Sequence, residues 1–253
     1  MNSRIKIAVV VASYNAVTSI SDCIESVLSQ SYDNVELIIV DGGSNDGTVG
    51  ILKSYEGRIQ YWLSEPDKGI YDAWNKALGF SSSDYIYFMG CDDRFVHNDL
   101  LYEMVQFLDA KKPYPDLICG SVKMIGKNKD IGYLLKPDPK VIPYKMLPHQ
   151  GVFHSRSLFD EFGLYDDRFK VRGDFEFVVR CNAARLLRIE VMPFVVAICE
   201  LGGLSNSWKY AWLSFMETLN IRRTHHVPIY TIEFCLLAVK SFVKRLLAAA
   251  KQI

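Results

Sequence analysis

The sequence lacks the features that mark several common classes of protein. Its 253 residues carry 29 basic and 29 acidic side chains, so the formal net charge is zero, and no electrostatically driven binding of nucleic acid is expected. The 6 cysteines include no CxxC pair, and the 5 histidines include no HExxH motif. We therefore expect reduced thiols in the cytoplasm, with neither a disulfide framework nor a structural zinc site.

Long apolar runs and common nucleotide-binding fingerprints are missing as well. No uninterrupted apolar stretch is long enough to cross a bilayer, and the short N-terminal run indicates a first strand rather than a secretory signal. No GxGxxG follows that strand, and DGGSNDG (41–47) has neither the GK[ST] of a P-loop nor the spacing of a calcium loop. These patterns argue against NAD-binding, P-loop and EF-hand proteins.

Strand and helix patterns alternate through the first half of the chain, and 49% of all residues are hydrophobic, as in a globular protein. Continuous apolar runs predict buried strands, and apolar residues at helical spacing predict the helices between them. The predicted strands are 5–12, 35–41, 59–63 and 84–90, and the predicted helices lie near 20–28, 46–55 and 69–78. This order predicts an α/β fold whose mostly parallel sheet is flanked by helices.

The second half of the chain is less regular. The patterns predict a strand at 116–125, a loop or short hairpin over 126–150, helices at 155–163 and 173–185, one or two strands within 186–200, and helices near 206–224 and 229–252. The length suits one large domain or one domain with a small appendage. We place the main domain at 1–205 and a C-terminal helical extension at 206–253.

Polar side chains collect where the predicted strands end, at 13–15, 41–44 and 92–93. The carboxyl ends of parallel strands meet at one edge of the sheet, where ligands of this architecture bind. The pair Asp92-Asp93 fits either a turn that caps a helix or a Mg²⁺ or Mn²⁺ site that also touches phosphate oxygens. Asp67 and Asp72 lie in a loop and a helix that lead to the same edge, and no lysine cluster there balances their charge. A bound cation, or a ligand rich in hydrogen-bond donors such as a nucleoside, is therefore favoured.

Six ordered motifs carry a resemblance to a known family. They are VVVASYNA, IIVDGGSNDGT, SEPDKGIYDAWNKAL, GCDD, HQGVFHSRSLFDEFGLYDDRF and GDFEF, within residues 5–205. The set resembles family 2 glycosyltransferases of the GT-A fold, and among them the bacterial enzymes that build surface polysaccharides. The resemblance implies a nucleotide-sugar donor, usually a UDP-sugar, with Mn²⁺ or Mg²⁺ as cofactor. It also implies inverting transfer to a hydroxyl group of a glycan or lipid-linked acceptor.

The resemblance further implies roles for individual residues. The positions matched to nucleotide-sugar binding are Ser13, Tyr14, Asn15, Asp41, Ser44, Asp67, Lys68, Gly69, Asp72, Asn75 and Asp92. Asp41 is matched to the acid on the uracil or ribose side of the nucleotide. Asp93 is matched to the metal ligand, His149 and Gln150 to the acceptor side, and Asp174 to the general base.

The general base can also be weighed from helix geometry. Asp174 and Glu176 are two residues apart on a predicted helix, so their side chains point to different sides and only one can face a substrate comfortably. Asp174 follows Gly173 at the helix start, nearer the loop edge, where a helix-capping role is the alternative. Many family members carry an acid at the position of Gly173, so Glu176 remains the second candidate.

The segment 228–253 has the pattern of an amphipathic helix with a basic edge. Lys240, Lys244 and Lys251 fall on one stripe beside Arg245, and most of the remaining circumference is apolar. Such a helix suits a membrane interface, which would hold a cytoplasmic enzyme peripherally on the inner face of the cell membrane, near a lipid-linked acceptor. The alternative is packing on the enzyme itself or on a second subunit, as in a homodimer.

Three other functions stay open. A nucleotidyltransferase also uses a parallel sheet with paired aspartates, although ASYNA (12–16) lacks the Gly-rich, Lys- or Arg-bearing loop expected after its first strand. A nucleotide-sugar binding module without turnover would share most of the motifs. A scaffold that acts through its C-terminal helix would show no metal-dependent affinity for UDP.

Overall fold

The structure of the protein is a computed structural model. It describes residues 4–126, 132–142, 144–201 and 210–229, together with residues 236, 239 and 243. Nine strands of the described chain form one mixed sheet. They are β1 (Ile7–Ser13), β2 (Val35–Asp41), β3 (Tyr61–Ser64), β4 (Tyr85–Gly90), β5 (Arg94–Phe95), β6 (Leu117–Ile125), β7 (Gly132–Leu135), β8 (Val152–Ser155) and β9 (Ile189–Glu200). Their order is β3-β2-β1-β4-β8-β6-β9-β5, with β7 paired to β6.

The first four strands form the parallel sheet that the sequence predicts. Their register brings Ser13 opposite Asp41, and Asp41 opposite Ser64, so three strands end side by side at one edge. The second half of the sheet is mixed, because β8 runs antiparallel to both β4 and β6, whereas β9 runs parallel to β6. Apolar runs indicate burial but carry no information on direction. The regular strand–helix alternation that does indicate direction stops after β4.

Helices cover both faces of the sheet. The seven α-helices of the described chain are α1 (Ile20–Leu28), α2 (Thr48–Ser54), α3 (Ile70–Leu78), α4 (Leu100–Asp109), α5 (Arg156–Phe162), α6 (Gly173–Ala184) and α7 (Ala211–Thr224). Side chains of α1, α2 and α4 pack in one core with Ile7, Val9 and Val11 of β1, and those of α3, α5 and α6 pack in the other with Ala8 and Val10. Burial on both faces explains why β1 is apolar throughout.

Several elements differ from the expected ones. The sequence patterns do not predict β5 or α4, and β3 begins at Tyr61 rather than at 59. Within the region 126–150, predicted as a loop or short hairpin, residues Gly132–Leu135 form β7, which pairs antiparallel with the preceding strand β6. The predicted helix at 229–252 lies outside the described residues except for 236, 239 and 243, each of which is helical. Among the residues described, no helix combines the length and apolar character needed to span a bilayer.

Candidate active site

Asp41 ties the carboxyl ends of three parallel strands together. It is completely buried and accepts hydrogen bonds from the hydroxyls of Ser13 on β1 and Ser64 on β3, at 2.8 and 2.7 Å. The hydroxyl and N–H of Ser44 and the N–H of Gly43 bind the same carboxylate. Burial alone would raise the pKa of Asp41, but the hydrogen bonds, led by those from Ser44, outweigh burial and hold this pKa below its usual value. Asp41 is therefore an ionised anchor for this edge of the sheet.

The loops that follow β1 and β2 are joined to each other. Asn15 adopts a left-handed backbone conformation (φ 49°) and donates its N–H to the Ser44 hydroxyl at 2.7 Å. A Cβ atom at Gly42 would lie 2.7 Å from a carboxylate oxygen of Asp67 and 3.3 Å from the ring of Tyr14, which is itself 65% exposed. Tyr14 and Asp67 thus close over Gly42, and the structure brings these predicted nucleotide-binding residues together.

The segment 67–69 connects β3 to α3 in a fixed conformation. Asp67 accepts the N–H of Gly69 at 2.8 Å, and Asp72 accepts the N–H of Lys68 at 3.0 Å. Gly69 has a φ of 128°, a backbone conformation that favours glycine. Asn75 uses both ends of its amide to bind the backbone of one residue in the loop that precedes α6. Asp72 therefore stabilises the loop that precedes α3, and Asn75 stabilises the loop that precedes α6.

The two carboxylates after β4 converge over Gly90. A Cβ atom at Gly90 would lie 2.9 Å from an oxygen of Asp92 and 2.8 Å from an oxygen of Asp93, so the absence of a side chain is what admits them. Asp92 is exposed, whereas Asp93 is 5% exposed and accepts the N–H of Gly90 at 3.1 Å. Burial and the negative charge of Asp92 raise the pKa of Asp93 to about 6, as expected for carboxylates that share a small site.

The chemistry of this pair fits a divalent cation. Mg²⁺ and related hard cations take carboxylate oxygens as ligands, and a cation would relieve the repulsion between Asp92 and Asp93. Within the described part of the chain, no group of three or more His, Cys, Asp or Glu side chains could hold a metal alone. Oxygen atoms of water or of a ligand would have to complete the coordination. Asp92 is the more accessible carboxylate, although the resemblance matches the metal to Asp93.

Asp174, in the first turn of α6, is held by groups that are distant in sequence. The hydroxyl of Tyr71 on α3 donates to Oδ1 at 3.0 Å, and the N–H of Phe175 donates to the same oxygen at 2.8 Å. The other oxygen, Oδ2, lies 3.7 Å from Nδ1 of His149. Burial, together with the negative charge of Asp174, raises the pKa of Tyr71 well above its usual value, so its phenol remains a donor. Asp174 is 8% exposed, and its Oδ2 receives no hydrogen bond from the residues that the structure describes.

Gly173 packs against the ring of Tyr71. A Cβ atom at Gly173 would lie 2.9 Å from two carbons of that ring. The ring of Tyr71, from α3, thus occupies the space that a side chain at position 173 would need, and its hydroxyl donates to the neighbouring carboxylate. The absence of a side chain at Gly173 therefore leaves the space that the ring of Tyr71 fills.

His149 and Gln150 lie in a single 3-10 turn, His149–Gly151, immediately before β8. The His149 imidazole is stacked on Trp74 of α3, with 4.9 Å between ring centroids. Burial lowers the pKa of His149 against the opposing charge of Asp174, so the ring is neutral near pH 7. The backbone oxygen of Gln150 accepts the hydroxyl of Tyr87 on β4. The structure therefore places His149 beside Asp174 and uses Gln150 to hold the turn on the sheet.

The comparison with known proteins identifies the family. Residues 8–172 match the family model described as Glycosyl transferase family 2. The chain belongs to glycosyltransferase family 2. It is 30% identical over 204 residues to a PGL/p-HBAD biosynthesis glycosyltransferase of Mycobacterium bovis, with 79% of each chain covered. It is 32% identical over 147 residues to the Escherichia coli UDP-Glc:alpha-D-GlcNAc-diphosphoundecaprenol beta-1,3-glucosyltransferase WfgD, with 58% of this chain and 56% of WfgD covered.

Solved structures show that this family 2 glycosyltransferase has the predicted GT-A fold. S. aureus TarS 1–349 in complex with UDP-GlcNAc superposes with a TM-score of 0.66 at 19% identity, covering 85% of this chain and 67% of that one. The mannosyltransferase PcManGT from Pyrobaculum calidifontis, in complex with GDP-Man and Mn²⁺, gives 0.65 at 15% identity, covering 98% and 76%. The chain spans only 40% of a longer TarS chain. At these identities the likeness establishes the fold alone.

The two acids of α6 lie on different sides of the helix, as their spacing predicts. Glu176 of the glycosyltransferase pairs with Arg180 at 3.0 Å and with His225 at 3.1 Å. The contact between Tyr71 and Asp174 was not predicted, because the two residues are 103 positions apart and no motif joins them. Ser64 was also missed, although it ends a strand beside Asp41. The rule that parallel strand ends meet could have found it.

Proposed function

We propose that this family 2 glycosyltransferase moves a sugar, with inversion, from a UDP-sugar to a hydroxyl group of a glycan or lipid-linked acceptor, with Asp174 as general base. The observation that carries the proposal is the arrangement around Asp174. Its Oδ1 is bound by Tyr71 and Phe175, and its Oδ2 lies 3.7 Å from the acceptor-side residue His149. A carboxylate with one oxygen fixed and one available has the geometry that proton abstraction needs.

The proposed reaction is a single displacement. Oδ2 of Asp174 accepts the proton of the acceptor hydroxyl while the hydroxyl oxygen forms a bond to the anomeric carbon. The bond from that carbon to the diphosphate breaks on the opposite face, and the nucleoside diphosphate leaves with the electron pair. The configuration inverts without a covalent sugar–enzyme intermediate. The engagement of Glu176 with Arg180 and His225 supports this scheme, because it leaves Asp174 as the acid beside His149.

The donor nucleotide is proposed to bind over the loops that Asp41 anchors. The exposed ring of Tyr14 offers a stacking surface, and Asp67 and Asn15 lie beside it. Because the carboxylate of Asp41 is saturated by protein donors, we propose that Asp41 acts on the nucleotide by fixing these loops. WfgD is named for a UDP-Glc donor and TarS was solved with UDP-GlcNAc, which supports a UDP-sugar donor, whereas PcManGT was solved with GDP-Man.

Asp92 and Asp93 are the residues proposed to hold Mn²⁺ or Mg²⁺. A divalent cation bound there supplies positive charge for the leaving diphosphate. The convergence of two carboxylate oxygens over Gly90 supports this assignment, as does the raised pKa of Asp93. Asp92, which is exposed, is proposed to contact sugar or ribose hydroxyls as well.

A lipid-linked acceptor would require the enzyme to work at a membrane surface, as WfgD does on a diphosphoundecaprenol acceptor by its name. We propose a peripheral attachment through the C-terminal helix, with attachment to a second copy as the alternative. Leu236, Val239 and Val243 are helical residues with three- and four-residue spacing, and they are 64, 61 and 46% exposed. Flotation with anionic vesicles should be lost when all three are changed to Ser, while a concentration-dependent change in mass would indicate the dimer instead.

The test of the proposed function is a panel of UDP-glucose, UDP-galactose, UDP-N-acetylglucosamine and GDP-mannose, each with Mn²⁺ and a short-chain GlcNAc-diphosphoryl lipid as acceptor. We expect turnover of a UDP-sugar, and Asp174→Asn should lower kcat by about 10³-fold because the general base is lost. The affinity for UDP, measured by calorimetry, should not change. Asp160→Asn is the matched control, since Asp160 is an exposed aspartate that pairs with Arg156 on α5.

Each alternative predicts a different result. Full turnover by Asp174→Asn would show that the base is wrong. UDP binding without turnover of any donor would favour a binding module, and release of pyrophosphate from UTP with a sugar phosphate would favour a nucleotidyltransferase. A protein without metal-dependent UDP affinity would favour the scaffold.

A further inference from the structure

Glu217 of α7 binds the backbone immediately ahead of the helix that carries Asp174. Its carboxylate is 8% exposed and accepts the N–H groups of three successive residues. The distances are 2.7 Å from Lys170, 3.0 Å from Val171 and 2.9 Å from Arg172. Because hydrogen bonds to an ionised acceptor are about twice as strong as neutral ones, a residue from the far end of the chain fixes this short segment.

The helix α6 has no capping side chain of its own. Arg172 occupies its N-cap position and makes no capping bond. The Arg172 side chain instead donates to the hydroxyl of Ser214, one turn before Glu217 on α7, at 2.7 Å. Negative charge beside a helix N-terminus is stabilising because the first N–H groups lack partners within the helix. Glu217 binds the N–H groups of residues 170–172, which precede the helix, so it fixes the chain that leads into α6 and places a carboxylate close to the helix N-terminus.

Further contacts hold α7 along the same side of α6. His225, which follows α7, lies 3.1 Å from a carboxylate oxygen of Glu176. An apolar cluster fills the space between the helices and consists of Phe175, Val179, Ile221 and Val227. The contacts of α7 and of the residues that follow it thus involve the segment 170–172 before Asp174 and the residues Phe175 and Glu176 after it. Asp174 itself contacts Tyr71 and lies near His149.

The segment bound by Glu217 also contacts the segment 67–69, which the resemblance matches to nucleotide-sugar binding. The ammonium group of Lys170 donates to the backbone oxygens of Lys68 and Asp167, at 2.9 and 3.0 Å. Lys68 lies two residues before the start of α3, which carries Tyr71. The side chain of Lys170 therefore links the segment 170–172 to the chain that leads into α3.

We propose that Glu217 is a positioning residue for glycosyl transfer, which aligns Asp174 by fixing the backbone of residues 170–172. The inference rests on the proposed role of Asp174 as base. It assigns α7 to the catalytic unit, whereas a division of the chain at residue 205 would leave this helix in the extension. Asp174 and α7 both lie beyond residue 172, where the match to the family model ends.

The test compares Glu217→Ala and Glu217→Gln with Thr218→Ala. Thr218 is the matched control, because it is a buried polar residue on the same helix whose hydroxyl bonds to Ser214 within α7. We expect Glu217→Ala to lower kcat by about 10²-fold, the effect of a misplaced catalytic group, with UDP affinity retained. Hydrogen exchange should accelerate at the amides of 170–172 in Glu217→Gln, which keeps the side-chain volume but loses the charge.

The outcomes separate this inference from the proposed function. Unchanged kcat in Glu217→Ala, or an equal loss in Thr218→Ala, would overturn the positioning role. If Glu217→Ala does not fold, Glu217→Gln decides: reduced kcat with faster exchange at 170–172 supports the role, and unchanged kcat overturns it. Asp174→Asn is measured in parallel. Loss of activity in Asp174→Asn but not in the Glu217 variants would refute the present inference alone, whereas an active Asp174→Asn would refute the base.

Discussion

The candidate site has two sides that are built differently. The nucleotide side lies around Asp41, and the base side lies around Asp174, the proposed general base. On the nucleotide side, a single buried carboxylate, Asp41, gathers Ser13, Ser44 and Ser64, which lie 28, 3 and 23 residues away in sequence. On the base side, Asp174 receives its hydroxyl donor from a residue 103 positions earlier, and the backbone before it is bound by Glu217, 45 to 47 positions later. The first arrangement follows from neighbouring parallel strands, and the second joins three distant segments.

Because the two sides are built differently, we expect changes in them to affect different properties, the stability of the fold on one side and the rate of turnover on the other. On the nucleotide side, a saturated cluster of hydrogen bonds joins the ends of buried strands, so disrupting it should destabilise the whole sheet. On the base side, hydrogen bonds from neighbouring residues hold Oδ1 of Asp174 and so set the orientation of the carboxylate. We therefore expect loss of hydrogen bonds on the nucleotide side to lower the free energy of unfolding, and loss of hydrogen bonds to Asp174 mainly to lower kcat.

The largest expected effect on stability is that of Asp41→Asn. The substitution should lower the free energy of unfolding by about 3 kcal/mol, because buried hydroxyl and N–H donors lose an ionised acceptor and face an amide group. Urea denaturation at pH 7 measures the change. Asp33→Asn is the control, since Asp33 forms an exposed ion pair with Arg4, and its loss should cost less than about 1 kcal/mol.

The effect of Asp41→Asn should also depend on pH. The pKa of Asp41 is lower in the folded protein than in the unfolded chain, so its contribution is fully present above the unfolded value of about 3.9. That contribution is lost as the pH falls through the lower folded pKa. The stability difference between the wild type and Asp41→Asn should therefore shrink below about pH 4. A constant difference down to pH 2 would show that the carboxylate charge is not what stabilises the edge.

Sequence reasoning predicted the two sides unequally. Apolar runs located β1, β2 and β4, and the rule that parallel strands end together brought the polar residues after them to one edge, as the register of Ser13 with Asp41 and of Ala12 with Gly90 confirms. No sequence pattern relates Tyr71 to Gly173, because their packing depends on how α3 and α6 lie on the same face of the sheet. The mixed half of the sheet was missed for a related reason: strand direction after β4 is set by tertiary pairing.

A second test addresses the packing of the base side through Gly173→Ala. The new methyl group would lie 2.9 Å from two ring carbons of Tyr71, so the ring must move. We expect a loss of about 2 kcal/mol in the free energy of unfolding, typical of overpacking. The combination with Tyr71→Leu should cost less than the sum of the two single changes, because the smaller side chain removes the clash. Strict additivity would show that the ring is not confined by Gly173.

The smallest expected change isolates the hydrogen bond between Tyr71 and Asp174. Tyr71→Phe keeps the ring against Gly173 and removes only the hydroxyl, while the N–H of Phe175 still binds Oδ1. Loss of this bond to a charged group should lower kcat about tenfold, equivalent to about 1.4 kcal/mol, with UDP affinity retained and a smaller loss of stability than in Asp41→Asn. Tyr102→Phe, at an exposed tyrosine of α4, is the control. Unchanged kcat would show that Phe175 alone orients the carboxylate, whereas a large loss of stability without loss of kcat would erase the distinction between the two sides.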